Sequence, residues 1–421
     1  MRQVATPPAS QGEKLSARRP RPVRYVPPLQ LLFGFFRHVW PIPHVWLPHF
    51  GRWGAVTLRD DVEEVLSRPD IFKVPYAGEM TRLTDGSWPG TPFILGMDDP
   101  AQHDEQLIRV MKVFRRSDAV GVGETAYRNA SEIVTKSNGR LDAVRELITG
   151  IPLDICETYL GVPILDRRAT AEALIWLSGH LFGLPPIVQN DKVDELTNIL
   201  RGAVDDAIRT ARKLPVDPDS KTVIGRLMAT EPRDSEVRAF LIGLITGFVP
   251  TNTIAGGHIL EMLLNRPGML KAACAAAQAG DDILLWQCLF ETLRYKPINL
   301  GPFRLCDQDY VIAANTRHRT RIRAGTTVLA STMSAMFDGT KVDEPYVFKP
   351  SRPGFDRLHF GFGMHWCLGA FVAQAQLTQT FKPLLLQPGL ARARGPDGRV
   401  QNWPKTLFPQ HLVVQFQVRT P

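Results

Sequence analysis

The chain has 421 residues, 44% of them hydrophobic, so it can bury a large core as one large domain or as two or three smaller ones. Its five cysteines are scattered without a C-x-x-C pair, which disfavours a disulfide framework or a zinc site and favours a reducing, cytoplasmic compartment. The net charge of +8 comes without a nucleic-acid motif, so we expect no nucleic acid and interpret the charge as suited to an acidic protein partner.

The N-terminal segment, residues 1–28, is rich in proline and arginine and lacks the apolar core of a signal peptide. Such a composition cannot bury enough apolar surface to fold by itself, so we expect a flexible basic tail. Residues 29–421 show no internal repeat or low-complexity block. We predict that they form a single domain.

An aromatic and apolar stretch follows the tail at residues 29–50. Arg37, His38, Pro41 and Pro43 interrupt it well before the roughly 20 apolar residues that a membrane span requires. We therefore expect no transmembrane anchor. Two interpretations stay open, a segment that packs across the domain and one that contacts a membrane surface, and packing is favoured.

The body of the chain is mostly helical by its apolar spacing. A short strand is predicted over 55–58 and a helix from near Asp60 to Pro69. From about Pro100 to Leu300, apolar residues recur at intervals of three and four, which is typical of helices. Weaker strand patterns come late, at 310–313, 326–331 and 411–418. The sequence predicts a mainly α fold with a small β portion.

The stretch HFGFGMHWCLG at 359–369 surrounds Cys367 with Gly361, Gly363 and Gly369. A free cysteine is usually a small buried hydrophobe, but these glycines let the backbone approach a flat, bulky group and let N–H groups point at the sulfur. A helical pattern begins directly after Cys367, and a helix N-terminus favours a thiolate. The pattern therefore favours a thiolate bound axially to haem iron.

The segment Phe360–Gly369 matches every fixed position of the F-G-x-G-x-H-x-C-x-G signature, and the chain resembles the cytochrome P450 family from about Trp53 onward. The resemblance implies the cytochrome P450 fold and haem b held by Cys367, with Phe360 packed beside the iron–sulfur bond. Three further elements occur in the family's order: E-x-x-R at 291–294, AGTTVLASTMSAMFD at 324–338 and F-x-P-x-R at 348–352.

Glu291 and Arg294 lie one helical turn apart, a spacing that alone is more typical of an exposed ion pair of little energetic value. The resemblance adds Arg352, which would give one carboxylate two guanidinium partners. We expect these three residues to form a structural cluster that supports the haem pocket.

The resemblance also implies how the haem propionates are held. His365 and Arg304 match family positions that hydrogen-bond propionate oxygens, and His103 matches the histidine of the family's H-x-x-x-R pair on the helix that crosses the haem. The family's arginine four residues after that histidine is Leu107 here. Arg109 is the nearest substitute, but two residues turn a helix by about 200°, so we expect it to face elsewhere.

The distal side departs further from the family. Its monooxygenases carry an acid–alcohol pair that helps to deliver protons during oxygen activation. Alignment through LLNRP at 263–267 places Thr251 on the alcohol and Pro250 on the acid. A proline inside a helix also removes one backbone hydrogen bond. Thr251 and Asn252 are the catalytic candidates, and Asn252 can supply a hydrogen bond but no proton.

This departure leaves three functional hypotheses. The favoured one is a monooxygenase that hydroxylates or epoxidises a hydrophobic small molecule, with electrons from a separate redox partner. The second is a peroxygenase or hydroperoxide isomerase that needs no external electrons, and the third is a non-catalytic haem-binding protein. A predicted basic stripe of Arg109, Lys112 and Arg116 favours the first, with an acidic, ferredoxin-type donor.

Apolar side chains in two regions are predicted to form the wall of the substrate pocket. Arg82 in one of these regions is a candidate partner for a substrate carboxylate, although a solvated arginine is the more frequent case. The wall candidates are Phe72, Tyr76, Met80, Trp88, Phe93, Leu181 and Phe182.

Overall fold

A computed structural model describes residues 22–47, 51–85, 92–183, 191–230 and 232–417. Within these ranges the fold is mainly helical with small sheets, which confirms the predicted class. The fourteen α-helices of the described residues are α1 Pro28–Val39, α2 Arg59–Leu66, α3 Ala77–Asp85, α4 Pro100–Val113, α5 Ala119–Lys136, α6 Gly150–Ile155, α7 Arg167–Phe182, α8 Asp191–Ala211, α9 Val223–Met228, α10 Asp234–Asn265, α11 Pro267–Gln278, α12 Asp282–Tyr295, α13 Thr332–Ala335 and α14 Ala370–Leu385.

Twelve short strands are described, and the largest sheet has five of them in the order β1-β2-β8-β5-β3. Its central pair is parallel, from Arg52 opposite Thr326 to Val56 opposite Ala330, so it joins the beginning of the body to its last third. The strands are β1 His44–Leu47, β2 Gly51–Val56, β3 Phe72–Lys73, β4 Arg140–Asp142, β5 Phe303–Cys306, β6 Tyr310–Ile312, β7 Thr320–Ile322, β8 Thr326–Ala330, β9 Ala391–Arg392, β10 Gln401–Asn402, β11 Pro409–His411 and β12 Val413–Gln415.

Two boundaries differ from the sequence predictions. The predicted strand at 55–58 is β2, which begins four residues earlier at Gly51. The predicted tail is too long, because residues 22–28 belong to the folded body: Arg24 forms a β-bridge with Val347, and the Tyr25 N–H donates to the Tyr346 carbonyl at 3.0 Å. These backbone partners lie over 300 residues away, where no local pattern indicates them. Residues 1–21 lie outside the described residues.

The central element is α10, which packs against α3, α7, α8 and α12. Its side chains are apolar on nearly every face, which is typical of a helix inside a large core. Within the described residues, α10 alone is long and apolar enough to cross a membrane, but 83% of its most apolar window is buried in the protein. This helix is therefore part of the core, and it presents one stripe of residues to the site described below.

Candidate functional site

The loop before α14 holds Cys367 by backbone contacts. The Cys367 N–H donates to the Phe360 carbonyl at 2.8 Å, and the Trp366 N–H donates to the Gly363 carbonyl at 3.1 Å. The backbone N–H groups of Gly369 and Ala370, at the start of α14, lie beside the Cys367 side chain and act to lower the pKa of its thiol, and the Ala370 N–H donates to the Cys367 carbonyl at 3.3 Å. The sulfur therefore lies where helix N-terminal amides stabilise a thiolate.

The three glycines of this loop are needed for different physical reasons. Gly361 and Gly363 adopt left-handed φ angles of +79° and +71°. A Cβ on Gly363 would lie 2.5 Å from the Leu66 carbonyl oxygen, so the loop touches the end of α2 directly. Gly369 has an ordinary φ of −85°, and a Cβ there would meet no protein atom within 4 Å. Gly369 lies in the wall of a cavity, so its missing side chain leaves space there.

The cavity next to Cys367 has a volume of about 660 Å³. Cys367 is exposed to this space although protein surrounds it, and burial raises the pKa of its thiol against the effect of the two amides. The opposite wall is formed by α10. Thr251 and Asn252 both line the cavity, so the fold brings the predicted sulfur ligand and the two distal candidates to one space.

The distal turn of α10 stays helical through Pro250, which is buried. The Thr251 hydroxyl donates to the Gly247 carbonyl, and the Asn252 amide Nδ2 donates to the Phe248 carbonyl at 2.7 Å. These bonds leave the Asn252 Oδ1 buried without a partner among the described residues. The seven α10 residues in the wall include no carboxylate: Gly243, Leu244, Gly247, Phe248, Thr251, Asn252 and Ala255.

Polar side chains cluster beside the cavity around His365. His365 Nε2 lies 3.3 Å from an Asp98 carboxylate oxygen, while its Nδ1 is buried without a partner among the described residues. The His103 and His365 rings meet edge to face, with centroids 5.5 Å apart. Asp98 also accepts from the Val74 N–H at 3.0 Å, which fixes the carboxylate. Sequence reasoning missed Asp98, since an acid beside a predicted anion site has no pattern of its own.

Arg304 on β5 is the fixed positive charge near this cluster. It is 4% exposed, its guanidinium donates to the Phe303 carbonyl at 2.9 Å, and no described carboxylate forms an ion pair with it. Burial lowers its pKa, while the nearby Tyr76 and Asp98 act to raise it. A buried cation without a counter-ion is costly, so this position favours an anionic group beside it.

The structure also shows what occupies the position of the family's missing arginine. Leu107 lies in the cavity wall, where it offers no charge. Arg109 is exposed and pairs instead with Glu105 at 2.7 Å on the outer face of α4, as its 200° offset predicts. Of the residues weighed for the propionates, His365, Arg304 and His103 are therefore grouped, and Arg109 is not.

These features fit a haem. The thiol beside two backbone N–H groups suits an axial ligand, and the open space at Gly369 and Gly247 admits a flat group. The buried Arg304, which has no described carboxylate partner, suits a propionate, and the nearby His365 Nδ1 is a second buried polar atom without a partner among the described residues.

The predicted structural cluster is completely buried. Glu291 Oε1 accepts from Arg294 Nη1 at 2.8 Å and from Arg352 Nε at 3.2 Å. Arg294 also donates to the Met336 and Pro345 carbonyls at 2.8 and 2.7 Å. The cluster therefore ties α12 to the segment that leads toward the cysteine loop.

A third arginine, which sequence reasoning missed, completes this cluster. Arg357 Nε lies 3.5 Å from Glu291 Oε2, and burial lowers the pKa of Arg357. Asp356 lies 3.8 Å from Arg352 and adds a second carboxylate. Arg357 is only ten residues before Cys367, so the cluster reaches almost to the loop itself.

Phe360 links the loop to the core. Its ring lies 5.5 Å from that of Phe290 on α12 and 6.1 Å from that of Trp366. Trp366, the residue before Cys367, is 47% exposed. One side of the cysteine loop is thus packed against α12, while Trp366 on the other side also lines the cavity.

The substrate-wall prediction holds for four of its seven residues. Tyr76, Phe93, Leu181 and Phe182 line the cavity, and the Tyr76 and Phe182 rings meet edge to face at 5.2 Å. Phe72 and Met80 are wrong, because they are buried in the core and absent from the cavity wall. Trp88 lies outside the described residues.

Arg82 is neither solvated nor aimed at a ligand. It forms hydrogen bonds of 2.7 Å to Glu79 and one of 2.9 Å to Asp194, and Glu79 also meets His180 Nε2 at 2.8 Å. The arginine is therefore satisfied by a network that ties α3 to α7 and α8, and a substrate carboxylate is not needed to neutralise it.

The predicted basic stripe is interrupted. Helix α4 ends at Val113, so Arg116 belongs to the following turn and does not continue the spacing from Arg109 and Lys112. Phe114 breaks the helical geometry there. Lys112 and Arg116 remain at the surface, but the one-helix stripe is wrong.

Comparisons with known proteins identify similar sequences and structures. A family profile for cytochrome P450 matches residues 283–387. The cytochrome P-450 monooxygenase DoxA of Streptomyces sp. is 27% identical over 395 residues, 87% of each chain. The erythromycin C-12 hydroxylase of Saccharopolyspora erythraea is 26% identical over 88% of this chain and 90% of its own. Cytochrome P450 CYP109Q5 of Chondromyces apiculatus has the same fold, with a TM-score of 0.74, 21% identity and coverage of 94% and 96%.

Residues 283–387 therefore match the cytochrome P450 family, and by homology to bacterial members of that family the protein is an oxidoreductase of the monooxygenase type. Its fold, profile match and cysteine loop agree on this assignment, and the family implies haem bound through a cysteine thiolate.

Proposed function

We propose that this protein binds haem b through the Cys367 thiolate and uses dioxygen to hydroxylate or epoxidise a hydrophobic small molecule. The observation that carries the proposal is the position of Cys367, which lines the same cavity as Thr251 and lies at the N-terminus of α14, where the backbone of Gly369 and Ala370 acts to lower the pKa of the thiol. When bound, the haem supplies the oxygen-activating chemistry that protein side chains lack.

The haem-binding roles follow from the contacts above. Cys367 would hold the haem iron through its sulfur, Phe360 would shield that sulfur, and Gly361, Gly363 and Gly369 give the loop its path. Arg304, His365 and His103 hold the propionates. A buried propionate is stable only where a hydrogen-bond donor contacts it, so the positions of these side chains determine where the propionates can lie.

An apolar substrate is proposed from the cavity wall. Aromatic and aliphatic side chains dominate it, including Tyr76, Phe93, Leu181 and Phe182. Gly247 leaves open space directly beside Thr251, so a substrate can approach the distal turn closely. Asn299 and Thr332 add polar groups in the wall, which suits a hydrophobic molecule bearing a few oxygens.

Proton handling falls to Thr251 and to water in this proposal. The Thr251 hydroxyl donates its own proton to the Gly247 carbonyl, so its oxygen is free to accept a hydrogen bond from water. Asn252 Oδ1 is a second acceptor at the same turn. Neither group can release a proton at neutral pH, so water must be the donor at this turn.

Electrons are proposed to come from a separate, acidic ferredoxin-type protein in the cytoplasm. Lys112 and Arg116 lie at the surface near the end of α4, and Trp366 offers an exposed aromatic surface beside the cysteine. The five cysteines are free, which suits a reducing compartment.

Pro250 and Asn252 favour a second candidate, a peroxygenase or hydroperoxide isomerase. Such an enzyme receives its oxygen–oxygen bond with the substrate and needs no acid to complete oxygen activation. The unpaired Asn252 Oδ1 can accept a hydrogen bond from a hydroperoxide O–H. A non-catalytic haem carrier is not proposed, because the chain is an oxidoreductase.

The decisive experiment compares two oxidant systems on the purified protein. We expect turnover of an apolar probe substrate with ferredoxin, ferredoxin reductase, NADPH and dioxygen, and much slower turnover with hydrogen peroxide or an organic hydroperoxide alone. Faster product formation without NADPH would favour the second candidate. A carbon monoxide difference spectrum of the reduced protein checks the thiolate ligation in the same sample.

A further inference from the structure

Asp98 joins three segments of the chain around one carboxylate. It lies two residues before the start of α4 at Pro100. Its Oδ2 accepts from the Val74 N–H at 3.0 Å, just after β3, and its Oδ1 lies 3.3 Å from His365 Nε2 in the cysteine loop. Asp98 and His365 are 267 residues apart in the chain. The carboxylate therefore ties the cysteine loop to two segments that are distant from it in the sequence.

His365 is the group that this carboxylate holds in place. Its side chain is 4% exposed, and it lines the cavity two residues before Cys367. The His103 ring meets it edge to face, with 5.5 Å between the two centroids. A buried ring that is packed on one side and hydrogen-bonded on another has few alternative rotamers. The position of His365 in the cavity wall therefore depends on Asp98.

The Asp98 carboxylate is also a charge close to the cavity. Its side chain is 15% exposed, so water and salt screen it less than they screen a surface charge. Burial lowers the pKa of Arg304, and Tyr76 and Asp98 act in the opposite direction, so the field of Asp98 extends to this buried guanidinium. Arg304 forms no ion pair with a described carboxylate. The charge of Asp98 is thus not neutralised by direct contact with Arg304.

A negative charge at this place has a defined consequence for a bound haem. Reduction of the iron adds one electron, and a nearby carboxylate opposes that added negative charge. Leu107 in the cavity wall contributes no cation that would offset it. Asp104 also lines the cavity, but its side chain is 74% exposed and is screened by water. Of these two carboxylates, Asp98 is therefore the one with the stronger expected effect on the reduction potential.

We propose that Asp98 is a positioning residue with two effects on the bound haem. Through His365 it holds the cysteine loop in the orientation that retains haem, and through its charge it lowers the reduction potential of the iron. This role rests on the proposed binding of haem at Cys367. Asp98 itself does not line the cavity, so no step of the reaction is assigned to it.

Two substitutions separate the contact from the charge. Asp98→Asn removes the charge but keeps one oxygen, and Oδ1 alone contacts both the Val74 N–H at 3.2 Å and His365 Nε2 at 3.3 Å. Asp98→Ala removes the charge and the contact. Glu105→Gln is the control, because it removes the same charge from the outer face of α4, where Glu105 is 67% exposed and pairs with Arg109. If Asp98→Ala does not fold, the potential of Asp98→Asn still tests the charge.

The reduction potential of the haem-loaded protein, titrated by spectroelectrochemistry without substrate, reports the charge. We expect Asp98→Asn and Asp98→Ala to favour reduction about tenfold, which is a rise of about 59 mV for one electron. Glu105→Gln should leave the potential unchanged, because water screens the exposed carboxylate that it removes. An unchanged or lower potential in Asp98→Asn, or an equal rise in Glu105→Gln, would overturn the electrostatic effect.

Transfer of haem to excess apomyoglobin reports the positioning. We expect transfer at least about tenfold faster from Asp98→Ala than from the unmodified protein, the scale of a lost partner behind a cofactor-contacting side chain. Transfer from Asp98→Asn should stay within about threefold of the unmodified rate, because the contact is kept. Equal rates for Asp98→Ala and the unmodified protein would overturn the positioning effect. An equally fast loss from both variants would overturn it as well, since the retained contact would then have no effect.

The carbon monoxide difference spectrum of each reduced protein separates the role of Asp98 from haem binding itself. Absence of the thiolate band in the unmodified protein would contradict the proposed function. A normal band in every variant, with potentials and transfer rates that do not change, would overturn the role of Asp98 and leave the proposed function intact.

Discussion

The two walls of the cavity differ in what determines them. On the Cys367 side the backbone sets the geometry, through the Phe360 carbonyl contact, the amides of α14 and two left-handed glycines. On the α10 side single side chains do so, and Pro250 stands where the family resemblance predicts an acid. Few sequences are compatible with a loop whose geometry is set by its backbone. A helix, in contrast, keeps its backbone path when one of its residues in the cavity wall is replaced. The first side therefore identifies the family, and the second distinguishes members within it.

The buried cluster extends the same comparison beyond the cavity. Glu291 is shared among Arg294, Arg352 and Arg357, and each partner is held by additional contacts. Removal of Glu291 would leave these buried guanidinium groups without the carboxylate that they share. At the distal turn the orphan is a neutral Asn252 oxygen, which a water or ligand can satisfy. The buried cluster supports the cysteine loop rigidly, whereas the turn of α10 can adapt to what it contacts. This combination suits a family whose members share one cofactor and act on different substrates.

The largest expected effect is at the cysteine. Cys367→His should abolish the red-shifted band of the reduced carbon monoxide complex, because a neutral imidazole replaces the thiolate. The measurement is the difference spectrum, with total haem quantified separately. Cys274→Ser, at a half-buried cysteine outside the cavity, is the control and should keep the band. Retention of the band in Cys367→His would show that Cys367 is not the haem ligand.

The next effect tests the rigid support. Glu291→Ala leaves buried arginines without their carboxylate and should reduce the free energy of unfolding by about 3–5 kcal/mol, with little haem retained. Denaturant titration and haem content are the measurements. Glu105→Ala, which removes the exposed partner of Arg109, should change the stability by less than about 0.5 kcal/mol. A similar loss of unfolding free energy in both variants would show that the contribution of the cluster to stability does not depend on its burial.

The third effect separates two glycines of one loop. Gly363→Ala should reduce stability by about 1–3 kcal/mol, because its methyl group would meet the Leu66 carbonyl at a left-handed φ. Gly369→Ala should leave stability nearly unchanged but weaken haem binding, since its methyl group would point into the cavity. Thermal unfolding and haem titration of both variants are the measurements. The reverse order of stability would contradict the backbone account of the loop.

The smallest effect concerns the distal turn. Thr251→Ala should reduce product per electron about tenfold, the scale of one lost proton-positioning contact, with hydrogen peroxide released instead. NADPH consumption, peroxide and product are measured together. If the enzyme uses hydroperoxides, Asn252→Ala should be the more damaging variant and product should form without NADPH. Tightly coupled turnover of Thr251→Ala with ferredoxin would show that the distal alignment is displaced.

The sequence predicts those parts of the site that depend on local backbone geometry. The cysteine loop, the helix after it and the E-x-x-R pair can be found because glycine and charge spacing indicate them directly. Arg357 and Asp98 could not be found, since their roles depend on which elements the fold brings together. The same limit explains the errors at Phe72 and Met80, where an apolar side chain suits a core and a cavity wall equally.

The basic stripe fails for a local reason instead. Periodicity continues through Arg116, but α4 ends at Val113 and Phe114 leaves helical geometry. Helix ends are set by a balance of capping and packing that apolar spacing does not record. A charge pattern that crosses an unrecognised helix end therefore predicts a surface that is not formed.

The contacts that fix α1 also constrain the order of events during synthesis. Gln30 and its partner Met333 are 303 residues apart, so at about 5–20 residues per second their contact must wait roughly 15–60 s after Gln30 is added. Throughout this interval the buried side of α1 lacks its native cover. Among the described helices, α1 is therefore synthesised first but cannot make this contact until Met333 has been added.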